Sequence, residues 1–551
     1  MTDILLIQPP IRDFYLTAKR TIPYGLSSIA ATLIEEGFSV EILDGLATSR
    51  SRVIDTPEEM NHLPEYYGGL DLSPFGLFHY YKHFGYSFDH LATQAKNSGA
   101  FLIGISSLFT PYAAEAIRLA ECIRAYCPES KIVMGGHHPT VLPESVMDSG
   151  AVDFVIRGEG EASLPLLAKA LKNGSTLETI PGIVLRKNDG SRQLNEPARL
   201  KNQDALPLPA VHLLKHQYYR RRDKGGMVIA ATRGCPMTCS YCCLRKSRYR
   251  KRGVQSIINE IEAALKQFGV GFIDFEDENL SLDRYWFLQL LNELDNRFAD
   301  YGLELRAMNG LYPPSLDQEI IYAMQKAGFK TLNLSLCSTS KVVLDRFERT
   351  DVTREFSSAL YWAEKWSLEA VGYIIAGGPF QNAEDSISDL LFLAQRRVLV
   401  GLSIFYPAPG SPDYELCKKL DILPDTYSLM RASALPLSHT TSRTESVTLL
   451  RLTRILNFMK LLIDQGQKIP GPAPINGKEK IKYKDKTKAG KLLLQWFLHD
   501  GQIRGLRPNG EVFEHQISPE LADRFIWGLR QIRIRGVKSP TAGQRLSEYK
   551  N

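Results

Sequence analysis

The sequence predicts an α/β protein with two successive parallel-sheet domains and a mainly helical C-terminal region. In residues 1–195, five short apolar runs alternate with segments of helical periodicity, which is typical of a doubly wound, Rossmann-like sheet. In residues 227–424 the alternation repeats over about six β/α units, which predicts a partial (β/α)6 barrel. In residues 425–551 the pattern becomes helical and less regular.

The first predicted domain consists of short apolar runs separated by helices. The helix at 111–128 opens with Pro and stops before Pro, as helix boundaries often do. Residues 45–95 interrupt the alternation with a stretch rich in Tyr, Phe, His and Gly, which predicts a lid or a helical insertion. The predicted strands cover residues 3–10, 38–44, 100–109, 131–139 and 151–161.

A proline-containing linker, residues 196–226, leads into the predicted barrel. In such barrels the chemistry lies at the carboxyl ends of the strands. After the barrel, the lysine-rich residues 468–491 predict a solvated loop. The Pro-Asn-Gly sequence within residues 502–516 predicts a hairpin.

Composition excludes several classes of protein. The chain of 551 residues is 44% hydrophobic and 23% charged, and its net charge of +6 is too small for a dedicated nucleic-acid binder. No apolar run approaches the roughly 18 residues that span a bilayer, and the N-terminus has no signal-peptide pattern. We therefore expect a cytoplasmic protein with no membrane span and no nucleic-acid partner.

Four of the eight cysteines lie within residues 235–243, which is not how a disulfide framework is distributed. Cys235, Cys239 and Cys242 form a C-x3-C-x2-C pattern directly after the first barrel strand. Three closely spaced thiolates can hold three irons of a [4Fe–4S] cluster and leave the fourth iron open. A structural zinc site is the alternative, and it would need Cys243 or a distant cysteine as a fourth ligand.

This segment, with Tyr241 before the last cysteine, resembles the radical S-adenosylmethionine (SAM) superfamily. In that family the open iron binds the amino and carboxylate groups of SAM, and one electron cleaves the sulfonium to give a 5′-deoxyadenosyl radical. The resemblance implies a [4Fe–4S] cluster on the three cysteines and SAM as a cofactor, with Tyr241 beside them. It also implies an electron donor such as flavodoxin or ferredoxin.

Polar residues at later strand ends resemble the SAM-holding positions of the family. In "FEDENL", Asp277 and Glu278 are candidates to accept from the SAM amine, and an acidic helix N-terminus is the alternative. In "RAMNG", Asn309 is a candidate to meet the SAM ribose or the substrate.

Two further strands resemble family motifs. In "LNLSLCSTS", Ser335 is a candidate cofactor contact, and Cys337 stands where the family usually has Glu, which makes it a candidate functional thiol. In "GYIIAGGP", Gly377 lies in the glycine-rich strand that the resemblance places against the SAM adenine.

Five motifs of the first domain resemble, in order, the cobalamin-binding domain of class B radical SAM enzymes. They are "LLIQPP", "YGLSSIAATL", "GISSLFTP", "GGHHPTVLPE" and "RGEGEASLPLL". The D-x-H-x-x-G motif, whose His ligates cobalt, is absent, which also permits a cobalamin-like fold that no longer binds cobalamin. The candidate corrin contacts at the strand ends are Gln8, Pro9, Ser106, Ser107, Gly135, Gly136, His137, Gly158 and Gly160.

Six basic residues follow the cysteines within residues 245–252. They form either a solvated face or an electropositive entrance for an anionic substrate, a phosphate or the acidic surface of a reductant.

Together the resemblances imply a cobalamin-dependent radical SAM enzyme that methylates an unactivated carbon, with methylcobalamin as the methyl source. The small-molecule substrate would be anionic or have a large apolar body. Alternatives are a cyclase or oxidase with the same cofactors and a radical SAM enzyme with a vestigial cobalamin domain. An RNA methylthiotransferase is disfavoured, because that family expects three N-terminal cysteines and this domain has only Cys122 and Cys127. The intact cysteine motif argues against a non-catalytic cobalamin sensor.

Overall fold

The first domain is built on a seven-stranded sheet. The computed structural model describes residues 2–14, 22–78, 80–475 and 485–538. The strands of this domain are β1 (Ile4–Gln8), β2 (Ile11–Asp13), β3 (Val40–Asp44), β4 (Ser51–Val53), β5 (Lys82–Phe84), β6 (Leu102–Ser106), β7 (Lys131–Gly135), β8 (Phe154–Ile156), β9 (Ile183–Arg186) and β10 (Arg192–Leu194). Its helices are α1 (Tyr24–Glu35), α2 (Leu63–Tyr67), α3 (Phe88–Ser98), α4 (Ala113–Tyr126), α5 (His137–Val141), α6 (Pro143–Met147) and α7 (Gly160–Asn173).

The predicted doubly wound parallel sheet is confirmed. Five strands lie parallel in the order β3-β1-β6-β7-β8, and β9 and β10 extend the β8 edge as an antiparallel pair that the sequence analysis did not predict. The predicted strands are too long at their carboxyl ends, since the chain turns away after Ser106 and Gly135 to form the loops at that edge.

Alternation along β1 sends successive side chains into two separate cores. Ile4 and Leu6 pack with α1 and α7 on one face of the sheet, while Leu5 and Ile7 pack with α3 and α4 on the other. All four side chains are buried, which explains why a parallel strand covered on both faces reads as a continuous apolar run.

Residues 45–95 hold two strands of a small antiparallel sheet, a short helix and the start of a crossover helix, and β2 is the third strand of that sheet. The strand order of the small sheet is β2-β5-β4, and α3 connects it to β6. Apolar side chains of this segment, among them Met60, Leu63 and Phe75, pack into the core shared by the second domain and the C-terminal region. The first domain therefore contributes part of the core of the rest of the chain.

The second domain is a partial barrel. Its strands are β11 (Arg220–Arg221), β12 (Lys224–Ile229), β13 (Thr232–Arg233), β14 (Arg250–Lys251), β15 (Val270–Phe275), β16 (Glu304–Arg306), β17 (Thr331–Cys337), β18 (Glu369–Ala376) and β19 (Leu399–Ile404). Its helices are α8 (Val254–Phe268), α9 (Arg284–Phe298), α10 (Gln318–Ala327), α11 (Lys341–Arg346), α12 (Thr353–Lys365), α13 (Ala383–Ala394) and α14 (Pro412–Lys419).

The six large strands run parallel in sequence order, as predicted. β12, β15 and β16 form one sheet and β17, β18 and β19 another. Parallel bridges between Leu305 and Phe329 and between Leu311 and Leu334 join the two sheets. All six carboxyl ends therefore lie at one mouth of the barrel.

The C-terminal region is mainly helical, as expected. It contains α15 (Arg443–Asp464), α16 (Lys486–Asp500), β20 (Arg504–Leu506), β21 (Val512–Glu514) and α17 (Pro519–Arg530). β20 and β21 form the predicted hairpin. The predicted loop at 468–491 is wrong at its end, since Asp485 caps α16 by accepting from the N–H of Lys488 at 2.9 Å; residues 476–484 lie outside the described residues. None of the described helices is both long and apolar enough to cross a membrane.

A buried polar group joins residues 45–95 to the C-terminal region. The guanidinium of Arg451, on α15, donates to the carbonyl of Tyr67 at 2.9 Å and lies 3.2 Å from His515 Nε2. His515 Nε2 is 2.9 Å from Asp71 Oδ2. Burial raises the pKa of Asp71, but hydrogen bonds from His515 and the N–H of Leu506 outweigh it, so that its net pKa is lowered and the carboxylate is charged.

Replacing Arg451 by Met should destabilise the protein by about 3–5 kcal/mol, because it leaves a buried carboxylate without its cation. The measurement is thermal unfolding followed by circular dichroism. The exposed Arg524 of α17 is the matched control. If Arg451→Met and Arg524→Met unfold at the same temperature, the buried group does not stabilise this junction.

Candidate functional site

The three cysteines of the C-x3-C-x2-C pattern lie on the loop of a β-ribbon. β13 and β14 pair antiparallel, with Arg233 opposite Arg250, and residues 234–249 connect them. We call this connection the cysteine loop. It follows the first barrel strand at the mouth of the barrel. Gly234 opens the loop with φ +89°, and a Cβ there would lie 2.3 Å from the carbonyl oxygen of Arg248, so that only glycine allows this turn.

The turn that follows α11 holds the cysteine loop through hydrogen bonds. The N–H of Ser240 donates to the carbonyl of Phe347 at 2.9 Å. The hydroxyl of Thr238 donates to the carbonyl of Glu348 at 3.0 Å. Ser240 Oγ also donates to Asp413 Oδ2 at 3.0 Å. The loop is therefore fixed by backbone and side-chain hydrogen bonds.

Two side chains donate hydrogen bonds to the sulfurs. Arg349 Nη1 lies 3.3 Å from Cys239 Sγ, and Asn279 Nδ2 lies 3.9 Å from Cys235 Sγ. Cys239 is buried, while Cys235 and Cys242 are half-buried. Burial and the neighbouring thiols raise the pKa of Cys242 to about 11. Three sulfur donors on one loop, two of them facing N–H donors, fit the thiolate set that an iron–sulfur cluster requires.

The three sulfurs of the cysteine loop are not arranged like the ligands of a single metal ion. In the part of the chain that the structure describes, no three His, Cys, Asp or Glu side chains converge as the ligands of one metal ion. Cys243 lies on the same loop next to Cys242, and a Cβ on Gly410 would be 3.7 Å from Cys243 Cβ.

The acidic residues after β15 fix the start of the cysteine loop. Buried Asp277 accepts from the hydroxyl of Thr232 at 2.6 Å and from the N–H of the same residue. Burial raises the pKa of Asp277 to about 7. Glu278 accepts from the N–H of Gly234 at 3.0 Å. Asn309 is exposed at the barrel mouth, and its Nδ2 is 3.5 Å from Glu276 Oε2. Contacts of Asp277, Glu278 and Asn309 with SAM stay predictions.

The candidates on β17 have different surroundings. The carbonyl and hydroxyl oxygens of Ser335 accept from Arg349 Nη2 at 3.3 and 3.0 Å, which brings Ser335 into the surroundings of Cys239. Cys337, at a register shift with φ +73°, packs in an apolar cluster with Phe347, and burial raises its pKa to about 12. This is the environment of a packing residue, and the predicted catalytic role of Cys337 stays a prediction.

Two more barrel candidates have packing explanations. The ring of Tyr241 lies edge-on to the ring of Phe347, with centroids 5.4 Å apart. Gly377 directly follows β18 with φ +78°, and a Cβ there would lie 3.2 Å from Ser446 Oγ. Ser446 belongs to α15, so this helix packs closely against the backbone at Gly377.

In the first domain, the loops after β6 and β7 cross at close range. The N–H of Ser107 donates to the carbonyl of Gly135 at 2.8 Å, next to the sheet pair of Ser106 and Gly135. Gly136 has φ +122°, and a Cβ there would be 2.4 Å from the carbonyl oxygen of Ser107. Gln8 and Pro9 end β1 at the same edge. The structure thus brings these candidates together at the carboxyl edge of the sheet.

Gly158 and Gly160 pack within the first domain. A Cβ on Gly158 would lie 2.4 Å from the carbonyl oxygen of Ala198, and a Cβ on Gly160 would lie 2.6 Å from Ile29 Cδ1. Close packing therefore explains both glycines without a ligand. Their contacts with a corrin stay predictions.

The two adjacent histidines have different environments. His138 is buried, its Nε2 lies 3.1 Å from Ser145 Oγ, and burial lowers its pKa to about 4. Desolvation lowers the pKa of His137, and the negative charge of Glu278 from the barrel opposes this effect. His137 is therefore the histidine that faces the second domain.

Ion pairs join the first domain to the ribbon that carries the cysteines. Glu159 accepts from Arg250 Nη2 at 2.8 Å and pairs with Arg233 at 3.3 Å, and Arg233 also pairs with Glu161 at 2.6 Å. A Cβ on Gly410, in the loop after β19, would lie 3.2 Å from Val141 of the first domain. The carboxyl edge of the first sheet therefore faces the cysteine loop.

The structure divides the basic run into paired and unpaired residues. Arg245 pairs with Glu348 at 2.7 Å and Arg252 with Glu260 at 2.6 Å, while Arg250 and Lys251 also have carboxylate partners. Lys246 and Arg248 are exposed and form no ion pair with any described residue. Sequence reasoning did not single out Arg349, Arg233 or Asn279, because their partners are distant in the sequence.

Comparisons with known proteins agree with this arrangement. The family model of the B12 binding domain matches residues 79–168, and the model of the radical SAM superfamily matches residues 229–393. An uncharacterized methyltransferase of Pyrococcus horikoshii is 25% identical over 424 residues, 75% of this chain and 82% of that protein. The cytidylyl-2-hydroxyethylphosphonate methyltransferase of Streptomyces wedmorensis is 24% identical over 424 residues, 70% of this chain and 75% of that protein.

A solved structure shares the fold. The cobalamin-dependent S-adenosylmethionine radical enzyme OxsB, with aqua-cobalamin and S-adenosylmethionine bound, superposes with a TM-score of 0.63 at 14% identity. The superposition covers 90% of this chain and 72% of that one.

Replacing Cys235, Cys239 or Cys242 by Ala should abolish iron binding, because each would remove one thiolate from the proposed set of three. The measurement is iron and sulfide content after anaerobic reconstitution. Cys243→Ala is the matched control and should keep the iron content of the unmodified protein. Equal iron loss in Cys243→Ala would contradict this assignment of ligands.

Proposed function

Because this chain belongs to the radical SAM enzymes that carry a cobalamin-binding domain, we propose that it methylates an unactivated carbon of a small-molecule substrate. The observation that carries the proposal is that the cysteine loop faces the carboxyl edge of the cobalamin-type sheet, to which ion pairs of Glu159 with Arg233 and Arg250 join the stem of the loop. Two similar proteins of high coverage are methyltransferases, which favours methyl transfer over cyclisation or oxidation.

The cofactors of this family are a [4Fe–4S] cluster, SAM and cobalamin. When bound, the iron–sulfur cluster with SAM supplies a radical that removes hydrogen, and methylcobalamin supplies the methyl group. Cys235, Cys239 and Cys242 would hold the cluster. Asp277 and Glu278 orient the cysteine loop by accepting from Thr232 and Gly234.

We expect the first domain to hold a corrin without a histidine from its first loop. The chain contains no histidine before His62. Directly after Pro9 and Pro10, the chain forms β2, which pairs with β5. The strand-end loops around Ser107 and Gly136 would present backbone groups to the corrin. This loop would therefore supply no imidazole to the cobalt.

The mouth of the barrel favours a substrate with an apolar body. Met308, Phe380 and Tyr406 follow three barrel strands and are 49%, 49% and 43% exposed. Large apolar side chains exposed near one opening are typical of a binding surface rather than of an isolated surface residue.

We also propose an acidic electron-transfer protein, such as a flavodoxin or ferredoxin, as the electron donor. Lys246 and Arg248 are the two cations of the basic run without an ion pair among the described residues. The N–H of Lys246 donates to the carbonyl of Met237 at 2.8 Å, next to the cysteines. Two exposed cations on the loop of the electron acceptor provide charge complementarity to an acidic donor.

The protein purified without oxygen from cobalamin-supplied cells should contain about four irons and a near-equimolar corrinoid. With SAM and titanium citrate, the corrinoid should be converted to methylcobalamin while S-adenosylhomocysteine forms, as measured by liquid chromatography. Formation of 5′-deoxyadenosine without S-adenosylhomocysteine would contradict methyl transfer. Iron without corrinoid, even after reconstitution, would show that the first domain is vestigial.

Replacing Lys246 and Arg248 together by Glu should slow SAM cleavage driven by reduced flavodoxin about tenfold at low salt, because it removes electrostatic attraction to the donor. Cleavage driven by dithionite should not change. Arg524→Glu is the control for the loss of a surface cation. Equal slowing with both reductants would show that the two residues act elsewhere.

A further inference from the structure

We propose that Arg349 is a positioning residue that compensates the negative charge of the Cys239 thiolate and thereby raises the reduction potential of the iron–sulfur cluster. This inference rests on the cluster that the proposed function assigns to the cysteine loop. It goes further in giving one side chain outside the cysteine motif control over the electron affinity of the site.

The guanidinium of Arg349 is held at two points. Nη1 donates to Cys239 Sγ at 3.3 Å, and Nη2 donates to the hydroxyl and carbonyl oxygens of Ser335 at 3.0 and 3.3 Å. Because a guanidinium is planar and its donors keep a fixed fork, these contacts fix its position between β17 and the cysteine loop. The cation therefore cannot leave the sulfur without losing both contacts to Ser335.

The backbone that carries Arg349 is itself bonded to the cysteine loop. The N–H of Arg349 donates to the carbonyl of Leu344 at 2.8 Å, which closes the turn after α11. The two carbonyls before it, of Phe347 and Glu348, accept from Ser240 and Thr238, which flank Cys239. These bonds hold the backbone at Arg349 beside the cysteine loop, and the contacts of the guanidinium with Cys239 and Ser335 then place the charge at the sulfur.

The charge of Arg349 has no carboxylate partner among the residues that the structure describes. The neighbouring cations do have one: Arg346 pairs with Asp413 at 2.9 Å, and Arg245 pairs with Glu348 at 2.7 Å. Arg349 Nε is also buried without a hydrogen-bond partner in this part of the chain. A half-buried cation is costly without an opposite charge, and the Cys239 sulfur would supply that charge as a ligand of the proposed cluster.

A positive charge and an N–H donor at a ligand sulfur stabilise the reduced cluster, which has one more negative charge than the oxidised cluster. The ordinary effect of both is a higher reduction potential. Arg349 would therefore make the cluster easier to reduce by a protein donor, while it leaves the set of three sulfur ligands unchanged.

The test is a redox titration of the reconstituted full-length protein without substrate or SAM, followed by electron paramagnetic resonance. The variants are Arg349→Met and Arg349→Lys, with Arg245→Met as the matched control because Arg245 contacts a carboxylate and no sulfur. We expect a more negative midpoint potential in Arg349→Met, an intermediate value in Arg349→Lys, and no shift in Arg245→Met.

Unchanged potentials in both Arg349 variants, at the iron content of the unmodified protein, would overturn the inference. If Arg349→Met assembles no cluster, the potential of Arg349→Lys decides: a negative shift supports the inference and no shift overturns it. Absence of a cluster from the unmodified protein would instead refute the proposed function. A loss of SAM binding without a change in potential would assign Arg349 to SAM and overturn its role at the sulfur.

Discussion

The ion pairs between Glu159, Glu161, Arg233 and Arg250 hold the two α/β domains in the orientation on which the site depends. The glutamates lie at the start of α7, and the arginines lie opposite each other at the stem of the cysteine loop. Burial raises the pKa of Glu159, but hydrogen bonds from Arg250 and the N–H of Leu200 outweigh it and lower the net pKa. The Glu159 carboxylate is therefore charged at neutral pH, and its ion pairs hold the carboxyl edge of the first sheet toward the cysteine loop.

The cysteine loop illustrates how a short motif depends on distant residues. Its sulfurs are close in sequence, but the loop that carries them is held by hydrogen bonds to Phe347 and Glu348 after α11 and to Asp277 and Glu278 after β15. A loop fixed in this way can present its ligands with little rearrangement, which lowers the entropic cost of binding a cofactor. The acidic residues after β15 thus hold the start of the cysteine loop in place, whether or not they also contact SAM.

Packing of residues 45–95 makes the first domain part of a larger unit. Met60, Leu63 and Phe75 belong to the same core as α15 and the barrel helices, and Arg451 joins this segment to the C-terminal hairpin through His515 and Asp71. Segment 425–435 completes the junction, because Arg431 pairs with Asp13 at 3.1 Å. The mutual orientation of the cobalamin-type sheet and the barrel is therefore stabilised at two separate places, the ion pairs and this core.

The sequence by itself determined the two α/β alternations, the hairpin and the set of three cysteines, because these depend on local periodicity and spacing. It predicted the sheet that presents Ser107 and Gly136, and the barrel whose first strand leads to the cysteine loop. Only the tertiary structure decided the contact of Arg349 with Cys239 and the pairing of Glu159 with Arg250, which join residues about 110 and 91 positions apart. It also decided that Gly158, Gly160 and Cys337 pack against protein, since close packing depends on neighbours that no local pattern specifies.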